Sequence, residues 1–286
     1  MRKTFRLLLF FVLSFQGLCV FASTVEKSLY IFRGNFLAVD SSSFLNISFD
    51  TLPQFVNSSP TLAFQSGDSV NFTIHNQDTI DHFFSIKGIN NTVSIPAKDS
   101  AIYSVRFSTS GLHIYADTSQ QNSYLGLTGL IHVLPKKVST NFYWNLRDQQ
   151  KTKNDSIHSG YPVNFTDYYP DYFTINGNSN PYVNQDTTAR ITGNVGDTIH
   201  INIANTGQSV HSLHFHGYHC KLLESSKFPN HKNRIKDTFP IYSMETLILE
   251  LIPDKQGEYP VHDHNLIGVT GGGHYPNGMF TTILIK

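Results

Sequence analysis

The chain has 286 residues, and its 21 Lys+Arg balance 21 Asp+Glu, with 14 His besides. That balance gives no electrostatic reason to bind nucleic acid or an anionic membrane surface. Two cysteines exclude a disulfide-stapled scaffold, so stability must come from packing, and the length suffices for two ordinary domains.

The chain opens "MRKTFRLLLFFVLSFQGLCVFA", a basic start followed by an apolar run and a small-residue end. This reads as a secretory signal peptide, residues 1–22, cleaved after Ala22, and the protein is expected to be secreted or periplasmic. Gln16 and Gly17 interrupt the run, which argues against an uncleaved anchor, and Leu18 before Cys19 argues against a lipoprotein. Cleavage removes Arg2, Lys3 and Arg6, leaving 18 Lys+Arg against 21 Asp+Glu, a net charge of −3. One cysteine, Cys220, then remains, so no intrachain disulfide is expected, and no second apolar run approaches a membrane span.

Beyond residue 22 the pattern is strand-like. "SVNFTIHN", "AIYSVRF", "TIHINIAN" and "TLILELIP" alternate apolar and polar residues between Gly, Asn, Asp and Pro punctuation, and no long segment repeats at helical spacing. The fold class is all-β. An internal repeat organises it. "GDSVNFTIHNQDTIDHFFSIKG" (67–88) aligns without a gap on "GDTIHINIANTGQSVHSLHFHG" (196–217) at an offset of 129. Farther along, "SGLHIYADT" (110–118) matches "QGEYPVHDH" (256–264), and "GLTGLIHVL" (126–134) matches "GMFTTILIK" (278–286). Two copies of one unit predict two similar β-sandwich domains split after "LPKK", residues 23–137 and 138–286. The polar tract "RDQQKTKNDSIHSG" (147–160) is expected to be an exposed loop or linker.

Nine of the 14 histidines lie between His200 and His274, so the second copy carries the chemistry. Side chains alternate along a strand, so in "HSLHFHG" His214 and His216 share a face, as His262 and His264 do in "VHDHN". If the two strands are neighbours, one face gathers His214, His216, His262 and His264 as a metal site. The other gathers His211 and Asp263, with His274 and Met279 reachable from the loop behind. A lone HxH is more often a surface or core pair than a ligand set, and His75, His113, His132, His158 and His231 are assigned to such ordinary roles. Two HxH strands in one half-chain point to metal.

Here the residues resemble a known family. "HSLHFHG" is similar to the HxxHxH strand of the last cupredoxin domain in multicopper oxidases, and "HDH…HYPNGM" to their HCH…HxxxxM segment. "YFTINGNSNPY" (172–182) has counterparts there, and "HNLI" (264–267) resembles a segment of copper nitrite reductases in which the histidine meets the catalytic copper. The resemblance implies two tandem cupredoxin-like Greek-key β-sandwich domains, copper as cofactor, and oxidoreductase chemistry. It also implies a homo-oligomer, trimeric in two-domain members. In the family, positions matching His211, Asp263, His274 and Met279 form the blue type 1 site. Those matching His214, His216, His262 and His264 supply half of a trinuclear cluster.

The chain departs from that pattern twice. Asp263 stands at the cysteine position, and a carboxylate does not support blue-copper chemistry. In the first copy, His82 stands opposite His211, but Ser85, Lys87, Ala116 and Thr118 stand opposite the four clustered histidines, and Asp117 opposite Asp263. The expected site is therefore mononuclear, on His214, His216, His262 and His264, holding copper with zinc as the alternative. His211, Asp263, His274 and Met279 form a second candidate set, in which Asp263 either binds metal or pairs with His211. Cys220 is a minor substitute thiolate. Three functions stay open: a copper-binding protein in redox chemistry or copper handling, a non-catalytic module with relic histidines, and an active copper oxidoreductase fed electrons by a partner. Metal content, optical and EPR spectra, and turnover on nitrite or a phenol separate them.

Overall fold

The computed structural model describes residues 24–135 and 139–286; the signal segment 1–22 and the expected boundary after residue 137 lie outside the described residues. The first half carries β1 (Thr24–Leu37), β2 (Ser43–Asp50), β3 (Leu62–Gln65), β4 (Ser69–Asn76), β5 (His82–Ile86) and β6 (Thr92–Ile95). β7 (Ser100–Arg106), β8 (Gly111–Asp117), α1 (Gln120–Leu125) and β9 (Thr128–Leu134) complete it. The second half carries β10 (Thr140–Gln149), α2 (Lys151–His158), β11 (Tyr172–Ile175), β12 (Thr192–Gly193), β13 (Ile199–Asn205) and β14 (His211–Phe215). It continues through β15 (Cys220–Ser225), β16 (Ile235–Lys236), β17 (Thr238–Ile241), β18 (Glu245–Leu251), β19 (Gly257–Asp263) and β20 (Phe280–Ile285).

The period-two pattern becomes burial on one face. Along β4 burial alternates residue by residue, placing Val70, Phe72 and Ile74 inside. Two sheets, β2-β1-β4-β7 and β3-β9-β8-β5-β6, enclose the first core, where Phe49, Phe72, Phe84, Tyr103 and Tyr115 meet as tilted and edge-on aromatic pairs. Sheets β11-β10-β13-β18-β15-β16 and β12-β20-β19-β14-β17 enclose the second, around Trp144, Phe215 and a set of Ile and Leu side chains. The two strand orders superpose: β1 runs parallel to β4 as β10 runs parallel to β13, and β5 neighbours β8 as β14 neighbours β19. Both halves are cupredoxin-like sandwiches. The β15–β16 pair is an addition to the second.

The tract 147–160 differs from the sequence expectation. Residues 147–149 end β10, α2 follows, and Arg147, Asp148, Gln149 and Asn154 are buried. These polar side chains join the two halves. Arg147 donates to Asn46 Oδ1 and the Tyr124 carbonyl, both at 3.1 Å, and Asn154 donates to the Leu45 carbonyl at 2.8 Å. Polarity was read as exposure, whereas these groups are buried with their hydrogen bonds satisfied. A smaller apolar seam sets Leu112, Ile114 and Leu130 against Tyr143, Met244 and Ile248.

Candidate metal centre

β14 and β19 are antiparallel neighbours in register, with His214 directly opposite His262 and Leu213 opposite Asp263. Alternation then sorts the side chains: His211 and Asp263 are buried, His214, His216 and His262 half-buried, and His264 exposed. The four histidines of the outer face come together as a ring cluster. Centroids lie 4.5 Å apart for His214–His216, 5.0 Å for His216–His262, 5.5 Å for His214–His264 and 5.8 Å for His214–His262.

Second partners orient two of these rings. His262 donates Nδ1–H to the Asp263 carbonyl at 2.9 Å, so its Nε2 presents a lone pair. His214 donates Nδ1–H to Thr238 Oγ1 at 2.8 Å, and that hydroxyl donates to Asp237 Oδ1 at 3.0 Å, leaving His214 Nε2 as a lone pair too. Such outer hydrogen bonds are how proteins fix the tautomer of a metal-binding histidine. His216 Nε2 lies 2.9 Å from His262 Nε2. His216 donates Nε2–H across that gap to the His262 lone pair, and two nitrogens bound to one metal at 2.0–2.1 Å and about 90° would be about as far apart. Burial, together with the neighbouring His214 and His262, holds His216 below the ordinary histidine value, which favours the neutral form. As placed, no group of three or more His, Cys, Asp or Glu among the described residues is arranged to hold a metal ion. The chemistry of the donor set fits a metal, and His214 and His264 must rotate toward the His216–His262 pair to complete a shell.

The buried face is built differently. His211 donates Nδ1–H to Asp263 Oδ2 at 2.7 Å, while its Nε2 faces Asp148 Oδ1 at 3.4 Å. Burial alone would lower its pKa, but the bonds to Asp148 and Asp263 outweigh burial and raise it to about 9. His211 is therefore an imidazolium held between two carboxylates. Asp263 also accepts the backbone N–H groups of Ser212 and Asn265, each at 3.0 Å.

The first sandwich repeats the device. His82 Nδ1 lies 2.8 Å from Asp117 Oδ2 and its Nε2 3.1 Å from Asp78 Oδ2. Asp117 accepts the N–H groups of Phe83 and Ser119, the positions equivalent to Ser212 and Asn265. Burial opposes protonation of His82, yet Asp117 and Asp78 raise its pKa. The outer carboxylate comes from a different place in each copy. The strand registers of β1 on β4 and β10 on β13 set Arg33 against Asp148 and, by the repeat, Asp78 against Gly207. In the first copy Arg33 grips Asp78 at 2.7 Å; in the second, Asp148 reaches the histidine itself. Gly207 makes room for it, because a Cβ there would stand 1.7 Å from Asp148 Oδ1.

The other sequence candidates disperse. His274 is exposed on a Gly271–His274 turn, and Met279 is buried in the apolar core. Gly268 packs against Asp263, where a Cβ would meet Oδ2 at 2.2 Å, so the backbone of 266–269 fills the space beside that carboxylate. With both His211 nitrogens engaged, the second set does not assemble as ligands. Cys220 lies fully buried in β15, and burial pushes its thiol up to about 12, so it offers no thiolate. Ser85, Lys87, Ala116 and Thr118 line a cleft toward Ser243 and Met244, where the Lys87 ammonium donates to the Met244 carbonyl. Asp148 and Asp78 were missed by sequence reasoning, because neither stands at a position the repeat makes equivalent.

Residues 146–286 match the multicopper oxidase family. That match covers the second sandwich, and the chain as a whole shares its fold with copper oxidases and copper nitrite reductases. Among solved structures, the blue copper oxidase from Nitrosomonas europaea superposes with a TM-score of 0.80 at 23% identity, over 92% of this chain and 86% of that one. The multicopper oxidase mgLAC gives 0.77 at 21% identity, over 92% and 87%. The copper nitrite reductase from Nitrosomonas europaea gives 0.72 at 18% identity, over 92% and 94%. At these identities the likeness speaks for the fold. No curated protein matches this cupredoxin chain.

Proposed function

We propose that the protein is an exported copper-binding member of the superfamily with a mononuclear copper site on His214, His216, His262 and His264 and no blue type 1 centre. Its role is copper redox chemistry or copper handling. The observation that carries this reading is the facing pair of His216 and His262 nitrogens, 2.9 Å apart, with the tautomers of His262 and His214 set by outer hydrogen bonds. Copper, held by these four residues, would supply a one-electron couple. The chain's own part is to orient the imidazoles and to favour the neutral form of His216. Copper is preferred over zinc because the named neighbours are copper enzymes.

Absence of the blue centre rests on Asp263, whose carboxylate is spent on His211 and two backbone N–H groups. A second reading, a non-catalytic module with relic histidines, is favoured by one observation: no three donors among the described residues converge as placed. Export rests on the segment 1–22, and a homotrimer on the two-domain family pattern. Among the described residues no helix is long and apolar enough to cross a membrane. Metal analysis after copper loading and dialysis tests the site. One copper per chain, lost in His214→Ala and His262→Ala, supports it; no retained copper leaves the relic reading.

A further inference from the structure

The β15–β16 pair, absent from the first sandwich, leaves the second one open at an edge. Between that pair and β17 lies a cavity of about 160 Å³ that reaches in between the sheets. Its walls are mainly apolar, Leu222, Phe228, Phe239 and Leu247, with the His231 ring stacked on Phe228 and Tyr242 beside it. Its volume is close to that of a dry cavity known to take up benzene, roughly 150 Å³. The Lys, Arg and Glu side chains are divided between its ends. Lys236 pairs with Cys220 at one end of β15, and Arg234 donates its backbone N–H into the turn beside it. Both of these cationic residues line the cavity and are exposed. At the other end of β15, Ser225 donates to Glu245 Oε1 at 2.6 Å, and the Tyr242 N–H occupies Oε2 at 2.9 Å. That buried carboxylate is satisfied within the protein and repels a second anion placed beside it.

We propose that this cavity is a binding site for a small monocyclic aromatic carboxylate, its ring among Leu222, Phe228, Phe239 and Leu247 and its carboxylate at the Arg234–Lys236 end. Ring size follows from the volume, aromatic character from the Phe228 and Phe239 walls, and orientation from cations at one end and Glu245 at the other. The site is separate from the histidine face but shares a strand with it. Phe239 faces the cavity, and Thr238, the preceding residue on β17, holds His214.

Titration of benzoate and benzyl alcohol into chelator-treated full-length protein, followed by NMR, tests the assignment; removing metal prevents carboxylate binding at the histidines. Both probes should saturate, shifting signals of Phe228, Phe239 and Leu247. The Arg234→Ala, Lys236→Ala double variant should bind benzoate about tenfold more weakly and benzyl alcohol unchanged. These two side chains are exposed, so the variant keeps the fold, which its unperturbed core signals verify. Failure of benzoate to saturate, or equal affinity of wild type and double variant for it, overturns the proposal.

Discussion

His211 and Asp263 are joined by a 2.7 Å hydrogen bond in a fully buried setting, and His82 and Asp117 repeat that bond at 2.8 Å in the other sandwich. In each copy a second carboxylate, Asp148 or Asp78, closes the far side of the ring. A protonated imidazole between two carboxylates thus fills the position that the resemblance in sequence assigns to a blue copper site. Both copies reach it with the same N–H donors and with different outer acids, so the arrangement is a property of the fold position rather than of one loop.

The first consequence is a pH dependence of stability. His211 has an ordinary value of 6.5 when unfolded and about 9 when folded, so its clamp stabilises fully below about pH 6.5. That contribution, on the order of 3 kcal/mol, is lost as pH rises toward 9. His82 acts in the same direction. Asp148, lowered from 3.8, adds stability that is present above that value and disappears as pH falls through its folded value. Chemical denaturation across pH 5 to 10 should show the alkaline decline, and His211→Asn should flatten it; an equally steep slope in that variant contradicts the assignment.

The second concerns the room made for Asp148. Gly207→Ala brings a Cβ onto Asp148 Oδ1 and must displace the carboxylate from His211. Overpacking of this kind typically destabilises by about 1–3 kcal/mol. The same change at the exposed Gly160, which has nothing within 4 Å, should not disturb the His211 signal. Histidine NMR of Gly207→Ala should report a lowered His211 pKa.

Much of this was legible before the structure. The repeat at 129 residues predicted the paired sandwiches, and strand parity separated His214, His216, His262 and His264 from His211 and Asp263. The outer acids were not legible. Asp148 lies in a polar tract that looked like an exposed linker, and Asp78 is offset from it in the repeat, since Arg33 and Gly207 occupy the matching positions. His274 entered the set through its spacing from Met279, but the loop turns at Gly271 and carries it to the surface. A motif gives the order of residues; the backbone path of the loop decides which of them meet.

Asp263→Cys tests what that loop costs. Restoring the thiol does not bring in His274, and Gly268 still fills the space beside position 263. Copper-loaded Asp263→Cys should therefore lack an intense thiolate-to-copper band. A strong blue absorption would show that the loop rearranges to supply the missing ligand.

Cys220 should be chemically silent. A thiol pushed up to about 12 and shielded in the core reacts with a disulfide reagent only after unfolding. Labelling kinetics of the native protein should match the global unfolding rate, and Cys220→Ala should leave copper stoichiometry unchanged. Fast native labelling would contradict the burial.

Copper held by imidazoles on the outer face, with no thiolate centre behind it, has a distinctive spectrum. The combined EPR and visible spectrum of copper-loaded wild-type protein tests that arrangement most directly. A single type 2 Cu(II) signal with nitrogen hyperfine structure, abolished by His262→Ala, and only weak visible absorption are expected. An intense blue band with a narrow copper hyperfine splitting, or a Cu(II) signal that survives loss of His262, would contradict it.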